Sequence, residues 1–203
     1  MKILISALIF GITCICVDGI CRADDPWQAV QKETTPVFGS PTALTVGQRE
    51  ALSRVLLGHR RLQGETLRVA IVPELPPKVE PREAARRVLE NWDHHGGVIQ
   101  TRQAVLLLVT GDGDAAVSAT VDLQDRLTED AATEVAEKAA GALRAGGAAA
   151  GARAGVEGLL RALESPVLEQ SQFSADFEQL IPAARVAAAS DGRWMRRAGI
   201  FVL

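Results

Sequence analysis

The sequence predicts an α/β domain: a mixed, mostly parallel sheet with helices on both faces, forming a three-layer sandwich. Three observations predict it. Ala104 to Thr110 is a nearly unbroken aliphatic run, as expected of a central strand buried on both faces. Leu67–Val72 is a second short β-rich run, stopped by Pro73. Segments of helical period lie before, between and after them, and the order helix, strand, helix, strand, strand, helix, helix requires a layered fold.

The chain opens with a leader. Met1 and Lys2 give a minimal positive start, and Ile3–Val17 is apolar and uncharged up to Asp18 and Gly19. That is signal-peptide length and too short to span a bilayer comfortably. Cys21-Arg22-Ala23 puts small residues where a signal peptidase reads, so cleavage is expected after Ala23 and the protein is expected to be exported, periplasmic or extracellular. None of Cys14, Cys16 and Cys21 follows the aliphatic-small-small triplet of a lipoprotein anchor. All three leave with the leader, so the mature domain is expected to hold together by its core without disulfides.

Removing Lys2, Arg22 and Asp18 with the leader takes the net charge from −3 to about −4. A mildly acidic chain without basic runs argues against nucleic acid as a partner. No later apolar run reaches membrane-spanning length, so no membrane span is expected in the mature chain.

Residues 24–43, with Pro26, Pro36, Gly39, Ser40 and Pro41, read as a linker. Thr45 is a plausible N-cap for a helix whose apolar face is Leu52, Val55, Leu56 and Leu62. His59 falls on that stripe with no partner at ligand spacing, and reads as a packed, hydrogen-bonded core residue. After Leu67–Val72, Pro81 suits the first turn of the next helix. Ala84, Ala85, Val88, Leu89 and Trp92 then recur at helical spacing, with Trp92 as a core anchor. Gly111-Asp112-Gly113-Asp114 is turn chemistry, so Ala116–Val121 is expected to return as an antiparallel neighbour of Ala104–Val109.

Two helices are expected next. Thr128 caps the first, with Val135, Ala139 and Leu143 inward, and Val156, Leu159, Leu160 and Leu163 mark the second. Gly147, Gly151 and Gly155 recur every four residues, a small-residue stripe suited to close packing. Arg153 and Glu157 exclude a membrane role for it, which leaves packing against the sheet. Residues 44–164 thus make one domain, and 165–203 a C-terminal extension without an assigned role.

From about Leu44 to Leu163 the chain resembles the TPM-domain family, exported or lumenal α/β domains that include a thylakoid acid phosphatase and photosystem-repair proteins. The resemblance rests on a series of segments in order. It runs from Leu44-Thr45 opening a helix through the strand Leu67–Val72 to Leu89-Glu90-Asn91-Trp92. It continues with Val105-Leu106-Leu107-Leu108-Val109, Leu127-Thr128 and Gly151-Ala152-Arg153-Ala154-Gly155-Val156. Family members often carry an aspartate where this chain has Gly39, and Asp-Asn-Gly where it has Arg102-Gln103-Ala104. The family's glycine-containing turn after the third strand is replaced by Asp122-Leu123-Gln124-Asp125. An arginine brings positive charge where a hard cation would sit, so the resemblance implies the fold and a disabled acidic site. Restoring aspartates at both 39 and 102 is expected to create calcium binding.

The remaining candidate chemistry lies in two loops. Asp93-His94-His95 is read as part of the Gly96-Gly97 loop before the central strand, while Asp122, Asp125 and Asp130 follow the return strand. The hairpin brings both loops to one end of the sheet. There His94, His95, Asp122 and Asp125 are the candidate acid–base groups, and Asp93, Asp122, Asp125 and Asp130 the candidate metal ligands. Against this, adjacent histidines point different ways, and loop aspartates commonly serve as solvated turn formers. Asp112 and Asp114 lack the further ligands of an EF-hand. The expected function is therefore a non-enzymatic binding or envelope-assembly module, acting on another envelope protein and needing no cofactor. The alternative is a divalent-metal-dependent phosphatase that uses calcium or magnesium at the relocated acidic and histidine site.

Overall fold

The computed structural model describes residues 35–95 and 102–169, with Ala175; the side chains of residues 93–95 and 169 lie outside the description. The leader read at 1–23, the linker up to residue 34, the glycine loop at 96–97 and nearly all of the C-terminal extension are outside it too.

A four-stranded sheet of order β1-β2-β3-β4 organises the domain. β1 (Val37–Gly39), β2 (Thr66–Val72) and β3 (Gln103–Val109) run parallel, and β4 (Asp114–Ala119) is antiparallel to β3. The helices are α1 (Val46–Gln63), α2 (Pro81–His95), the short α3 (Val121–Gln124) and α4 (Glu129–Ala162). A 3-10 turn follows at Pro166–Glu169. This is the mixed three-layer α/β fold that the sequence predicts.

The two-residue side-chain period of a strand explains the layers. In β3, Ala104, Leu106 and Leu108 face one core with Leu52, Val55 and Leu56 of α1 and Val156, Leu159 and Leu160 of α4. The alternate residues Val105, Leu107 and Val109 face a second core with Ala84, Ala85, Val88, Leu89 and Trp92 of α2. All seven β3 residues are buried, so the strand has no face to show to water. Trp92 is buried and Arg68 lays its guanidinium carbon 4.8 Å from the ring centroid, so the tryptophan anchors the core as expected.

The helix starts are local. Thr45 caps α1 through a reciprocal capping box with Gln48, and Pro81 is the first residue of α2. Thr128 caps α4, accepting from the backbone N–H of Ala131. The two expected C-terminal helices are the halves of α4, broken at Gly147, whose φ of 75° favours glycine. The halves fold back on each other. A Cβ on Gly151 would lie 2.8 Å from Leu143, and one on Gly155 would lie 2.4 Å from Leu106 of β3 and 3.1 Å from Ala139. The small-residue stripe therefore serves helix-on-helix packing as well as helix-on-sheet packing.

Several boundaries differ from the sequence reading. Val37–Gly39, inside the stretch 24–43 read as a linker, pairs with Val69–Ile71 as β1, because two apolar residues between Pro36 and Gly39 give too short a run to register as a strand. The core passes both limits of 44–164, since Val37 and Val167 are wholly buried in it. Leu62 is 50% exposed, beyond the buried arc of α1. β4 covers 114–119 and not 116–121: Asp114 already pairs with Val109, and exposed Val121 begins α3. Asp93, His94 and His95 continue α2 and do not form a loop.

Candidate functional site

The most concentrated polar chemistry lies at the end of the sheet where β2 and β3 begin. Glu65 immediately precedes β2, Arg102 precedes β3, and Arg126 lies between α3 and α4. His59 comes from the buried stripe of α1, as its position in the sequence suggests. Ser165 stands where α4 gives way to the 3-10 turn.

Their side chains form one connected network. Arg102 Nη2 and Arg126 Nη1 donate to Glu65 Oε1 at 2.6 and 2.5 Å. Two guanidiniums on one oxygen make Glu65 a carboxylate, which can only accept. His59 Nε2, 3.1 Å from Glu65 Oε2, must therefore donate, leaving Nδ1 to accept from the Ser165 hydroxyl at 2.8 Å. Ser165 Oγ in turn accepts from Val167 N at 3.4 Å, and Arg126 also donates to the carbonyl of Leu163. Burial holds the His59 imidazole below its ordinary value; this outweighs the opposing pull of Glu65, and Arg126 adds to the lowering.

Serine, histidine and glutamate in contact are the components of nucleophilic catalysis. Here, however, Ser165 is 5% exposed, while His59 and Glu65 are at 0%. None of the three lines the groove along β4 or the smaller one between the halves of α4. The serine hydrogen is committed inward, to His59 Nδ1. The network ties α1, the starts of β2 and β3, and the end of α4 together.

The candidate residues from the sequence lie around this end of the sheet. Ala119 of β4 pairs with Ala104 of β3, so the segments before β3 and after β4 share one end. Leu123 and Leu127 are buried, which turns Asp122 and Asp125 outward; both are exposed, as is Asp130 in the first turn of α4. Among the described residues no group of three or more His, Cys, Asp or Glu side chains converges to hold a metal ion. The side chains of Asp93, His94 and His95 lie outside the described residues.

The two positions at which the resemblance places aspartates do not meet. Gly39 pairs with Ile71, which pairs with Leu108, whereas Arg102 lies one residue before the Thr66–Gln103 pair. Six residue steps, from Glu65 to Ile71, separate the two levels, roughly 20 Å at strand rise. Gly39 also has φ 139°, and a Cβ there would fall 2.1 Å from the carbonyl oxygen of Ile71. Restoring aspartates at 39 and 102 together therefore cannot assemble one calcium site, contrary to the expectation from the sequence.

The second feature is a groove of about 1550 Å³ along β4, between α2 on one wall and α4 on the other. Its floor is the outer edge of the sheet. Arg82 bridges the walls to Glu129 at 2.7 Å, and Arg144 donates to the carbonyl of Gly113 at the far end.

No curated protein matches the chain by sequence. Several solved structures share the fold, among them two N-terminal domains. The N-terminal domain of a P. gingivalis protein, solved by NMR, superposes with a TM-score of 0.57 at 18% identity, over 69% of this chain and 94% of that one. The N-terminal domain of the cg2496 protein from Corynebacterium glutamicum superposes with a TM-score of 0.51 at 13% identity, over 68% of this chain and 84% of that one. The model of the TPM domain matches residues 38–162, from β1 to the last residue of α4, and on that span the chain belongs to the TPM-domain family.

Proposed function

We propose that this TPM domain is a non-enzymatic binding or assembly module that acts on another protein of the cell envelope after export. The observation that carries the reading is Arg102. It stands where the resemblance to the family places a carboxylate, and its guanidinium is engaged 2.6 Å from buried Glu65. A cation placed there would meet a positive charge that the fold itself uses. No helix among the described residues is long and apolar enough to cross a membrane, which is consistent with a module that meets its partner through its surface.

The test is an assay of the protein on a generic phosphomonoester, with and without calcium or magnesium. The expected result is no metal-dependent turnover above buffer. Turnover that needs the metal and falls when His94, His95, Asp122 or Asp125 is replaced would establish the phosphatase in its place.

A further inference from the structure

β4 is an edge of the sheet, and its backbone alternation can be read from its pairing. Thr120 N donates to Gln103 O at 2.9 Å, and the antiparallel register continues from Ala104–Ala119 to Val109–Asp114. Residues that exchange hydrogen bonds with β3 therefore alternate back from Thr120 as Ser118, Ala116 and Asp114. Ala115, Val117 and Ala119 turn their N–H and C=O groups outward into the groove. Gln124 Nε2 reaches the carbonyl of Ala119 at 3.3 Å, as that alternation requires.

Protein edges are commonly protected by a charge, a proline or a bulge, because an unprotected edge templates another strand. From Ala115 to Ala119 this edge has none of the three, and its side chains are Ala, Ala, Val, Ser and Ala. Among the described residues no strand pairs with this edge, and its backbone is open between the two helical walls. The walls are not neutral. The groove is lined by seven carboxylates and three guanidiniums, with no lysine. Arg86 is paired with Glu83 and Glu90, and Arg82 with Glu129, while Glu80, Asp122 and Glu137 are exposed and have no ion-pair partner among the described residues.

We infer that the groove binds an extended segment of a partner protein as a fifth strand on β4, and that this segment carries lysine or arginine at alternate positions. Main-chain pairing to Ala115 and Val117 supplies the docking, and the carboxylate excess of the walls selects the basic side chains. This rests on the reading of the domain as a binding module and names the surface it uses.

The probe is an end-blocked eight-residue peptide alternating lysine and valine, compared with one alternating glutamate and valine and with a lysine–valine peptide N-methylated at alternate amides. Hydrogen exchange of individual amides, read by NMR, is the measurement. The lysine peptide should slow exchange at the Ala115 and Val117 amides at least tenfold at saturation. The glutamate peptide should bind at least tenfold more weakly, and the N-methylated peptide should not protect these amides. Ala115→Pro removes one outward donor and should abolish the protection; should that variant not fold, Asp122→Lys with Glu137→Lys, both at exposed positions, should weaken the lysine peptide at least fivefold.

Absence of lysine-peptide binding, equal binding of the lysine and glutamate peptides, or protection mapping away from β4 would overturn the inference. So would peptide-independent protection of Ala115 and Val117 in a concentration-dependent dimer, because a second copy would then occupy the edge. Phosphomonoester turnover would remove the underlying reading, whereas lost peptide binding without turnover would remove only the groove.

Discussion

Arg102 Nη2 lies 2.6 Å from Glu65 Oε1, and the arginine is 41% exposed where the glutamate is wholly buried. The asymmetry predicts unequal mutational costs. Glu65→Ala removes the acceptor of His59 and of both arginines, and breaking a buried charge cluster from that side should cost about 3–5 kcal/mol. Arg102→Ala leaves Arg126 on the same oxygen and removes a half-exposed partner, so its cost should stay near or below about 1 kcal/mol. Urea melts of the two variants against the parent protein check the ratio.

His59 predicts a pH dependence. Its folded value lies below the ordinary imidazole value, chiefly through burial, so the unfolded chain binds the proton more readily than the native one. The stability from neutral His59 is thus complete above the unfolded value of about 6.5 and is lost as pH falls below it toward the folded value. His59→Leu should be less stable at pH 7.5, and the gap to the parent should narrow as pH falls through 6. Melts across pH 5.5–7.5 test this, and a gap that widens on acidification would contradict it.

Both residues show where the sequence was readable. His59 was legible as a packed residue because it sits on the stripe of Leu52, Val55 and Leu56, which burial makes periodic. Its partners were not, since Ser165 lies 106 residues away and Arg126 is 61 residues from Glu65, and no local pattern joins them. Ala104–Val109 was legible because a strand buried on both faces has no polar alternation to obscure it. β1 was obscured by Pro36 and Gly39, and the start of β4 by Asp114, which has the chemistry of a turn residue and yet pairs with Val109. Asp122 and Asp125 were correctly sited at one end of the sheet, but their outward direction follows from Leu123 and Leu127 taking the buried side.

Glycines at two positions of α4 predict opposite signs. A Cβ at Gly155 would meet Leu106 at 2.4 Å and Ala139 at 3.1 Å in a filled core, so Gly155→Ala should cost about 1–3 kcal/mol. A Cβ at Gly141 meets nothing within 4 Å, and Gly141→Ala should stabilise by about 0.5–1 kcal/mol through the less flexible unfolded chain. Thermal melts of the pair decide it, and a shift of the same sign in both would mean that the halves of α4 do not pack as described.

Gly39→Ala should destabilise more sharply than its half-buried position at the end of β1 suggests. At φ 139° an L-residue is strained by about 1–3 kcal/mol, and the added carbon would press on the carbonyl of Ile71, which accepts from Ser40 N at 3.1 Å. Exchange at the Ser40 amide should rise together with the loss of stability, as β1 separates from β2. Unchanged exchange with unchanged stability would show that the β1–β2 contact is looser than the pairing indicates.

Leu107 tests the layer arrangement itself. It lies midway along β3, fully buried, paired with Ala70 of β2 and Ala116 of β4, and it faces the core built on α2. Its strand neighbours are small alanines, and it belongs to the same core as Val88 and Trp92, so truncation opens a cavity that the flanking side chains are too small to fill. Leu107→Ala should cost about 2–5 kcal/mol. Leu106→Ala removes the same atoms from the opposite face, against Gly155, and should cost a similar amount while leaving the environment of Trp92 unchanged. Glu137→Ala, on the exposed side of α4, should cost almost nothing. Denaturant melts give the three energies, and near-ultraviolet circular dichroism, in a background with Trp27 and Trp194 replaced by phenylalanine, reports on Trp92. Small, equal losses for both leucines would show that β3 is not the buried centre of two cores.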